Sequence, residues 1–373
     1  MISSRPRLAL MLPRLSAYGG VERFALGLAS ALADDGFDVD FICARRETEP
    51  PEGVRPVVVG RPPGSRALKI GWFAARAERA RKRGHYDLCL SMGRTVSQDI
   101  LRASGGPLSI FWERSSWAYP KGFVRGSKAL RRRLAPANAL IRRLEDRALS
   151  GSRVMVAVSD LVRDWWLQAH PELAVRDVRV IYNKPDLSCF APPDPEERHR
   201  LRRGLDLADT DKVLAFAGTN FMLKGLPGLI RALALLPDAC RLHVAGGRRP
   251  GPFLSLARDL GVERRVRFLG KVEDMPGFYQ AADCFVLPSF YDTCSNAVVE
   301  ALACGLPVVS SATNGSSVFL PPQNVLADPG DAAALAAAVE TALAGPPPGP
   351  FTWPKDTPAG IPPYLDLVRE FLA

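Results

Sequence analysis

Residues 8–43 read LALMLPRLSAYGGVERFALGLASALADDGFDVDFIC and contain the pattern that decides the fold. Apolar runs at 8–12 and 39–43 have the length and composition of short β-strands, and the turn Gly19-Gly20 lies between them. Apolar residues recur at every fourth position from Phe24 to Leu32, which places them on one helix face. A strand, a glycine turn, a helix and a second strand form the βαβ unit of a doubly wound parallel sheet.

The same alternation of apolar runs and helical stretches continues along the chain. Further strands are predicted at 57–59, 88–91, 108–112, 154–159, 213–217, 242–245, 266–269, 284–287 and 307–310. Further helices are predicted at 226–236, 253–260, 296–303, 332–344 and 365–372. Four prolines without apolar periodicity between 183 and 195 mark a connection between two halves. We therefore predict an α/β protein with two doubly wound, Rossmann-like parallel-sheet domains, 1–183 and 184–354, that face a cleft.

The composition is that of an ordinary globular protein, with 373 residues of which 47% are hydrophobic and 24% are charged. No apolar run in the sequence approaches the ~20 residues that span a bilayer. The seven cysteines, at 43, 89, 189, 240, 284, 294 and 304, form no C-x-x-C pair. We therefore expect free thiols in a reducing compartment, and neither a disulfide framework nor a zinc site.

Positive charge is concentrated in the first half of the chain. Residues 1–180 carry 31 basic and 18 acidic side chains, a net +13, whereas residues 181–373 carry 18 and 21, a net −3. The segment 121–147 has nine basic and two acidic residues, and the basic ones include Lys128, Arg131, Arg132, Arg133, Arg142 and Arg143. This excess indicates an anionic partner, either a membrane surface or a nucleic acid. A solvated basic helix without a partner is the alternative.

Two glycine-containing turns follow predicted strands. Gly19-Gly20 opens the first helix, where backbone N–H groups and the helix N-terminus favour an anion such as phosphate. Residues 218–225 read GTNFMLKG and place Lys224 where its ammonium group can neutralise a diphosphate. This is not a Walker motif, because Gly225 follows the lysine in place of Ser or Thr. A tight turn without a ligand and a surface lysine are the respective alternatives.

Residues 288–309, PSFYDTCSNAVVEALACGLPVV, form the most specific motif. Asp292 lies in a polar loop, and Glu300 follows eight positions later in a helix that Ser295 or Asn296 can cap. A carboxylate in an apolar helix is costly unless it has a partner or a use. Such a carboxylate can bind a vicinal diol with both of its oxygens.

This stretch resembles the C-terminal signature of retaining glycosyltransferases of family 4, which have the GT-B fold: Glu-x7-Glu followed by Ala-x-Ala-x-Gly-x-Pro-Val-Val. The Gly-Gly turn, the Lys-Gly pair and Ile181-Tyr182-Asn183 resemble the phosphate-binding elements and the interdomain hinge of that family. Residues 99–106 (DILRASGG) and the basic stretch after them are similar to the lipopolysaccharide core glucosyltransferases within it. The resemblance implies an acceptor-binding first domain, a nucleotide-sugar-binding second domain and a final helix, 355–373, that packs on the first.

The resemblance also implies site residues. Glu300 would hold the ribose hydroxyls of the donor, Lys224 its diphosphate, and Asp292 its hexose. The expected donor-binding residues are Gly19, Gly20, Asn220, Lys224, Gly225, Cys294, Ser295, Asn296 and Glu300. The expected catalytic residues are Lys224, Asp292 and Asp99.

This chain departs from the family pattern at three positions. Asp292 is one methylene shorter than the usual Glu. Asn220 stands where the family often has an Arg, for which Arg248 or Arg249 could substitute. None of the four His residues is an obvious counterpart of the histidine that many members place in the first domain, and Asp99 is expected to replace it.

The implied reaction moves a hexose, with glucose the first choice, from a UDP-sugar to a saccharide acceptor of the lipopolysaccharide core type. It proceeds with retention and needs no metal and no other cofactor. We expect a cytoplasmic protein that binds the inner face of the cytoplasmic membrane peripherally, and we do not expect nucleic acid as a partner. The basic side chains of 121–147, with the apolar residues at 123, 130, 134, 140, 141 and 144, would contact lipid or the acceptor. A GT-B UDP-sugar epimerase and a non-enzymatic protein that binds anionic surfaces or nucleic acid are the alternatives.

Overall fold

The computed structural model describes residues 5–120, 122–247, 249–346, 348–349 and 351–373. The chain folds into two compact units. The first comprises the described residues of Met1–Trp112, Gly126–Tyr182 and Thr357–Ala373, and the second those of Glu113–Arg125 and Asn183–Asp356. The described residues of Glu113–Arg125 therefore belong to the second unit, which differs from the predicted single domain 1–183.

Strands and helices alternate along both units. The strands are β1 (Arg7–Met11), β2 (Arg14–Leu15), β3 (Asp38–Cys43), β4 (Arg45–Arg46), β5 (Val54–Val58), β6 (Leu88–Ser91), β7 (Ile100–Ala103), β8 (Val154–Ala157), β9 (Asp177–Val180), β10 (Lys212–Ala217), β11 (Cys240–Ala245), β12 (Val266–Gly270), β13 (Cys284–Leu287), β14 (Val308–Ser311) and β15 (Val325–Leu326). The α-helices are α1 (Gly20–Asp34), α2 (Arg66–Gly84), α3 (Leu108–Trp117), α4 (Phe123–Leu134), α5 (Pro136–Ser150), α6 (Asp160–Ala169), α7 (Pro195–Gly204), α8 (Leu226–Leu233), α9 (Gly251–Asp259), α10 (Met275–Gln280), α11 (Asn296–Ala303), α12 (Ala332–Ala344) and α13 (Pro362–Leu372). Short 3₁₀ turns occur at Pro171–Val175, Glu263–Arg265, Gly315–Phe319 and Pro322–Asn324.

The first unit is built on a parallel sheet with the strand order β5-β3-β1-β6-β7-β8-β9. Its inner strands are buried and mostly apolar, as expected when helices cover both faces, with Asp40 in β3 and Arg102 in β7 as buried charged exceptions. Helix α1 buries Ala25, Leu28 and Leu32 against the sheet, and α13 packs beside α1 in the same core through Tyr364.

The second unit repeats this architecture with the parallel order β12-β11-β10-β13-β14-β15. Its central strands β10 and β13 are flanked by α8 and α12, and the helices bury their apolar faces in one core. The predicted α/β class with two doubly wound parallel-sheet domains is confirmed. The helices predicted at 296–303 and 332–344 have the observed bounds, and the others differ by a few residues at their ends.

The strand predicted at 108–112 is wrong, because these residues open helix α3. The run Ile110-Phe111-Trp112 has high β-propensity, but tertiary contacts override it. The Leu108 amide donates to the Glu145 carboxylate (3.2 Å), and the helix then buries Ile110. The strand that occupies this place in the sheet is β7, which pairs with β6 and β8 and was not predicted.

Candidate active site

The candidate site of the second unit lies at the carboxyl edge of its sheet, between β10 and β13. The chain moves from β10 outward to β11 and β12, and returns to the other side of β10 with β13. Loops that follow adjacent strands at such a switch point diverge and leave a crevice for a ligand. The two loops here are 218–225, after β10, and 288–295, after β13.

Lys224 and Asp292 meet at this switch point. The Nζ atom of Lys224 donates a hydrogen bond to Oδ2 of Asp292, although the two residues are 68 positions apart in the chain. Both side chains are largely withdrawn from solvent, with 21% and 11% of their surfaces exposed. A cation and a carboxylate in contact at the end of adjacent strands can divide their work on a substrate, the lysine holding an anion and the aspartate a hydroxyl or a developing positive charge.

Glycines allow the loops to approach each other this closely. Gly225 has a φ of 79°, and a Cβ atom there would lie 2.0 Å from the Pro288 carbonyl oxygen. The Phe290 amide donates to the Leu223 carbonyl (2.9 Å), which joins the two loops beside this contact. Gly225 is therefore required for the geometry that brings Lys224 to Asp292, in addition to any ligand contact of its own.

The backbone of Asp292 is fixed on both sides. Its amide donates to the Thr313 carbonyl (3.0 Å), and its own carbonyl accepts from the Gly315 amide (3.0 Å). Beneath this contact Thr313 and Ser311 donate their hydroxyls to the Ser289 carbonyl, at 2.5 and 2.6 Å. The loop that carries Asp292 is therefore held by a buried polar network, which keeps the carboxylate in place without a ligand.

Glu300 lies on helix α11 and is oriented by a buried tyrosine. The Tyr279 hydroxyl donates to Oε2 of Glu300 (3.0 Å), and Tyr279 is fully buried. Burial first, and the Glu300 carboxylate second, raise the pKa of Tyr279 well above its ordinary value. The tyrosine thus remains a hydrogen-bond donor at any physiological pH. Tyr279 was not predicted as a site residue, since nothing in its local sequence pairs it with Glu300.

The start of helix α11 presents the remaining residues of the predicted motif. Ser295 occupies the N-cap position and makes no side-chain cap, and Ser316 donates its hydroxyl to the Ser295 carbonyl (3.0 Å). Cys294 is buried, and its carbonyl accepts from Asn183 (3.4 Å). The Oδ1 atom of Asn296 is buried and has no hydrogen-bond partner among the described residues. A buried acceptor of this kind is costly unless a ligand or water donates to it.

The loop after β10 places Asn220 at the surface. Its Oδ1 accepts from the Leu223 amide (3.3 Å), and its carbonyl accepts from the Lys224 amide (3.0 Å), so it shapes the turn before the lysine. Arg249 is exposed after β11, and Arg248 lies outside the described residues. The structure therefore gives Asn220 a local turn-forming role, and its predicted donor contact stays a prediction.

The Gly19-Gly20 turn lies at the carboxyl edge of the first unit's sheet. Gly19 has a φ of 105°, and a Cβ atom there would meet the Glu22 carboxylate at 2.3 Å. Gly20 begins α1 without a side-chain cap, and both glycines are exposed. Glu22 makes an ion pair with Arg14. The turn leaves helix-terminal amides available for an anion.

The prediction that Asp99 replaces the family histidine does not fit the structure. Asp99 directly precedes β7, and its backbone N–H donates to the Cys89 carbonyl (2.9 Å). Its carboxylate accepts from the Cys89 amide (2.8 Å), so both groups complete the ladder where β7 begins. Ligands of parallel sheets bind beyond the carboxyl ends of the strands, and Asp99 lies at the amino end of its strand.

The two helices of the basic stretch 121–147 differ in how far their apolar side chains are buried. Helix α4 has no buried residue and leaves Phe123, Leu130 and Leu134 exposed. In α5, by contrast, Ile141 and Leu144 are buried against α2, so the prediction that these two face lipid is wrong. Leu140 was also predicted to contact lipid or the acceptor, and this is wrong because its side chain packs against the same apolar residues of α2 and α5.

Two of the basic side chains that were predicted to contact lipid or acceptor contact the protein itself. Arg132 donates to the Trp112 carbonyl (3.0 Å) and lies over the Phe111 ring, and Arg142 lies over the Trp112 ring. Arg131, Arg133 and Arg143 are exposed, and Lys128 is half-buried.

No helix among the described residues combines the length and apolar character needed to cross a membrane. No group of three or more His, Cys, Asp or Glu residues with metal-site geometry occurs in the described part of the chain.

Comparisons with known proteins decide the family. A model described as "Glycosyltransferase Family 4" matches residues 18–188, and one described as "Glycosyl transferases group 1" matches 211–345. A D-inositol 3-phosphate glycosyltransferase of Mycobacterium sp. (strain KMS) is 30% identical over 328 residues, which cover 80% of this chain and 72% of the relative. The chain belongs to glycosyltransferase family 4. A probable transglycosylase of Burkholderia thailandensis is 31% identical over 87% of this chain and 83% of its own length.

Solved structures show the same fold for this family 4 glycosyltransferase. WaaG, a glycosyltransferase involved in lipopolysaccharide biosynthesis, superposes with a TM-score of 0.73 at 21% identity over 91% of this chain and 90% of WaaG. HepE of Anabaena, solved in complex with UDP and glucose, has a TM-score of 0.64 at 20% identity over 90% of this chain and 89% of HepE. The predicted GT-B fold is confirmed.

Proposed function

We propose that this glycosyltransferase moves a hexose, glucose in the first instance, from a UDP-sugar to a saccharide acceptor with retention of the anomeric configuration. The observation that carries the proposal is the Lys224–Asp292 ion pair at the switch point of the second unit, on the strand loops that lead into α8 and α11. The complex of HepE with UDP and glucose supports a UDP-sugar as the donor. The likeness to WaaG supports a lipopolysaccharide core saccharide as the acceptor.

Each donor group has a matching residue in the second unit. Lys224 binds the diphosphate, because a partly buried ammonium group stabilises the negative charge that grows on the leaving phosphate. Glu300, already oriented by Tyr279, binds the two ribose hydroxyls. Asp292 faces the hexose together with the backbone at Cys294 and Ser295. In the first unit, the exposed amides at Gly19 and Gly20 are the proposed contact for a phosphate group.

The mechanism proposed here is the one that the resemblance to retaining family 4 enzymes implies. Lys224 and Asp292 are in contact before a donor binds, which places a cation and a carboxylate side by side where the leaving phosphate and the hexose are proposed to lie. We therefore propose reaction on one face of an oxocarbenium-like sugar, with the departing phosphate accepting the proton of the acceptor hydroxyl. Lys224 supplies the positive charge at the leaving group, and the reaction is proposed to need no divalent metal.

Product analysis with a panel of UDP-hexoses tests the proposal. We expect UDP release and an α-linked product from an α-configured donor, identified by NMR, with the rate unchanged by EDTA. A β-linked product would refute retention, and loss of the rate on chelation would refute metal independence. Release of UDP with an epimerised free sugar and no acceptor product would favour the epimerase alternative.

We also propose that the protein binds the cytoplasmic membrane surface peripherally through helix α4. Phe123, Leu130 and Leu134 recur at i, i+7 and i+11, which places them within about 40° on one helix face. Arg131 and Arg133 flank this stripe on either side, whereas the Arg132 guanidinium is engaged by the Trp112 carbonyl. An exposed apolar stripe between arginines suits an anionic bilayer surface.

Vesicle co-sedimentation of the full chain tests the membrane proposal. We expect binding to phosphatidylglycerol vesicles that falls with salt, and a loss of roughly tenfold or more in Arg131→Ser/Arg133→Ser, at about 1 kcal/mol per arginine. Arg79→Ser/Arg83→Ser removes the same charge from exposed positions of α2 and should bind like the wild type. Equal partition onto neutral and anionic vesicles, or onto neither, would contradict the proposal.

A further inference from the structure

The first unit contains a pocket that none of the roles above uses. Its volume is about 430 Å³, and it lies at the carboxyl edge of the sheet, at the switch point between β1 and β6. The walls come from the residues after β1, β3, β5 and β6 and from the first two turns of α2. This is the position at which parallel sheets bind ligands, and the volume is that of a small-molecule site.

The polar lining of this pocket is entirely cationic. Its charged side chains are Arg14, Arg45, Arg61, Arg66, Lys69 and Arg94. Arg14 and Arg45 are ion-paired, with Glu22 and Glu47 respectively. The other four have no acidic partner within ion-pair distance in the described part of the chain. The pocket therefore concentrates four positive charges that no ion pair neutralises, and the nearby Glu22 carboxylate offsets the charge of Arg94 only in part. Their mutual repulsion disfavours the empty site and favours an anion.

The start of helix α2 adds to this positive field. Ser65 caps the helix by accepting from the Leu68 amide (3.2 Å), and the first turn contains Arg66 and Lys69 but no acidic residue. Helix N-termini are normally stabilised by acidic side chains, so basic residues there oppose the helix dipole. A bound anion would satisfy both the basic side chains and the helix terminus.

The loop after β6 holds Arg94 in a fixed and unusual conformation. Gly93 and Arg94 both have positive φ, 101° and 65°, a region that a residue with a Cβ rarely adopts. Buried side-chain hydrogen bonds hold this loop: Ser91 and Thr95 share one (2.5 Å), and Thr95 donates another to Gln98 (2.7 Å). Strained residues held by a buried network occur where a side chain must be kept in place for function.

The surroundings of Arg94 show how closely the cations approach each other. Arg94 is exposed as a residue, yet withdrawal of its guanidinium from water lowers its pKa, and the charges of Arg66 and Arg14 lower it further. Guanidinium groups present several N–H donors in a plane and match the oxygens of a phosphate better than a single ammonium does. Three arginines and a lysine without acidic partners therefore suit a phosphate dianion better than a single carboxylate.

We propose that this pocket binds a phosphate monoester group on the acceptor, that is, that the natural acceptor is a phosphorylated sugar or polyol or a saccharide chain that bears a phosphate. The inference rests on the proposed function, because that function assigns the donor to the second unit and to the Gly19-Gly20 turn, and leaves this pocket to the other substrate. It adds a substrate class to that function, since an uncharged saccharide would leave the four cations unneutralised.

Calorimetry of the full chain separates this inference from the proposed function. Glucose 6-phosphate is expected to bind the wild type, and glucose at the same concentrations is not. Arg66→Ser/Arg94→Ser should weaken glucose 6-phosphate binding at least tenfold and leave UDP affinity unchanged. The matched control Arg79→Ser/Arg83→Ser, at exposed positions farther along the same helix, should bind within twofold of the wild type.

The outcomes distinguish the two hypotheses. Normal UDP binding without glucose 6-phosphate binding, or equal losses in the pocket variant and in the control, would overturn the pocket assignment alone. Absence of UDP binding would refute the donor proposal instead. Transfer assays then identify the source of the phosphate, with a soluble sugar phosphate and a phosphorylated core saccharide tested as separate acceptors. For the acceptor that uses the pocket, removal of its phosphate by phosphatase should raise its KM. That increase should disappear in Arg66→Ser/Arg94→Ser.

Discussion

Replacement of Lys224 by alanine should abolish most transfer activity. The ammonium group is the cation that contacts Asp292 at the β10–β13 switch point, and only 21% of its side chain is exposed. A single preorganised donor to a developing negative charge contributes roughly 3–4 kcal/mol in comparable sites. At 1.36 kcal/mol per factor of ten, the turnover of Lys224→Ala should fall by roughly two to three orders of magnitude. UDP release at saturating donor, with melting curves to confirm folding, measures this loss.

The ion pair allows a second explanation of such a loss, which a double-mutant cycle tests. Removal of Lys224 leaves the Asp292 carboxylate, 11% exposed, without its partner, and this alone could distort the loop. Because Asp292 itself is proposed to face the hexose, the readout of this cycle is UDP affinity and not turnover. If the lysine only neutralised Asp292, Lys224→Ala/Asp292→Asn would bind UDP as the wild type does. If the lysine binds the diphosphate, UDP affinity stays low in the double variant while its stability recovers. A folded Lys224→Ala protein with more than about a third of wild-type turnover would refute the assignment.

Three further variants test the site and its supports. Glu300→Gln should weaken UDP binding in calorimetry by roughly tenfold, because a charge-assisted bidentate contact becomes neutral; unchanged affinity would return Glu300 to a structural role, such as its bond with Tyr279. Gly225→Ala should cost at least about 2 kcal/mol in urea unfolding and most of the activity, since its Cβ would collide with the Pro288 carbonyl; wild-type stability would show that the loops can separate freely. Burial raises the pKa of Glu145 to about 7, so the folded state retains its proton and stability should fall as pH rises from about 4.5 to 7. Glu145→Gln should remove this slope and gain roughly 2–3 kcal/mol at pH 8 relative to the wild type, and parallel stability curves would contradict the assignment.

The sequence predicted the elements whose patterns are local. The strand at 88–91 and the helix at 296–303 have the bounds observed in the structure, because each is a short apolar run or an amphipathic stretch with clear flanking signals. Lys224 and Asp292 were predicted separately from two motifs. Their direct contact could not be predicted, because it depends on which strands are neighbours.

The errors have a common physical origin in strand order and burial. Because a strand was predicted at 108–112 and β7 was not, nothing in the prediction placed Asp99 next to a strand. Once β7 is located, Asp99 is the residue directly before a strand, and its carboxylate serves the ladder. In the same way, Ile141 and Leu144 resemble a membrane-facing stripe in sequence, but α2 covers them.

The cationic pocket could not be predicted from the sequence, because it also depends on the order of the strands. Its basic residues are scattered over about 80 positions and lie in the two-residue strands β2 and β4, in loops and at the start of α2. Only the strand order β5-β3-β1-β6 brings the four loop ends to one edge. Without that order, the basic stretch 121–147 was the more visible signal of an anionic partner.

A crystal structure of this protein with UDP would show directly whether the donor binds to the second unit as proposed. We expect the diphosphate at the β10–β13 switch point, with Nζ of Lys224 within hydrogen-bond distance of a phosphate oxygen. We also expect that both ribose hydroxyls contact the Glu300 carboxylate, which keeps its bond from Tyr279. UDP bound elsewhere, or bound here with Lys224 still paired only to Asp292, would contradict the assignment of the donor site.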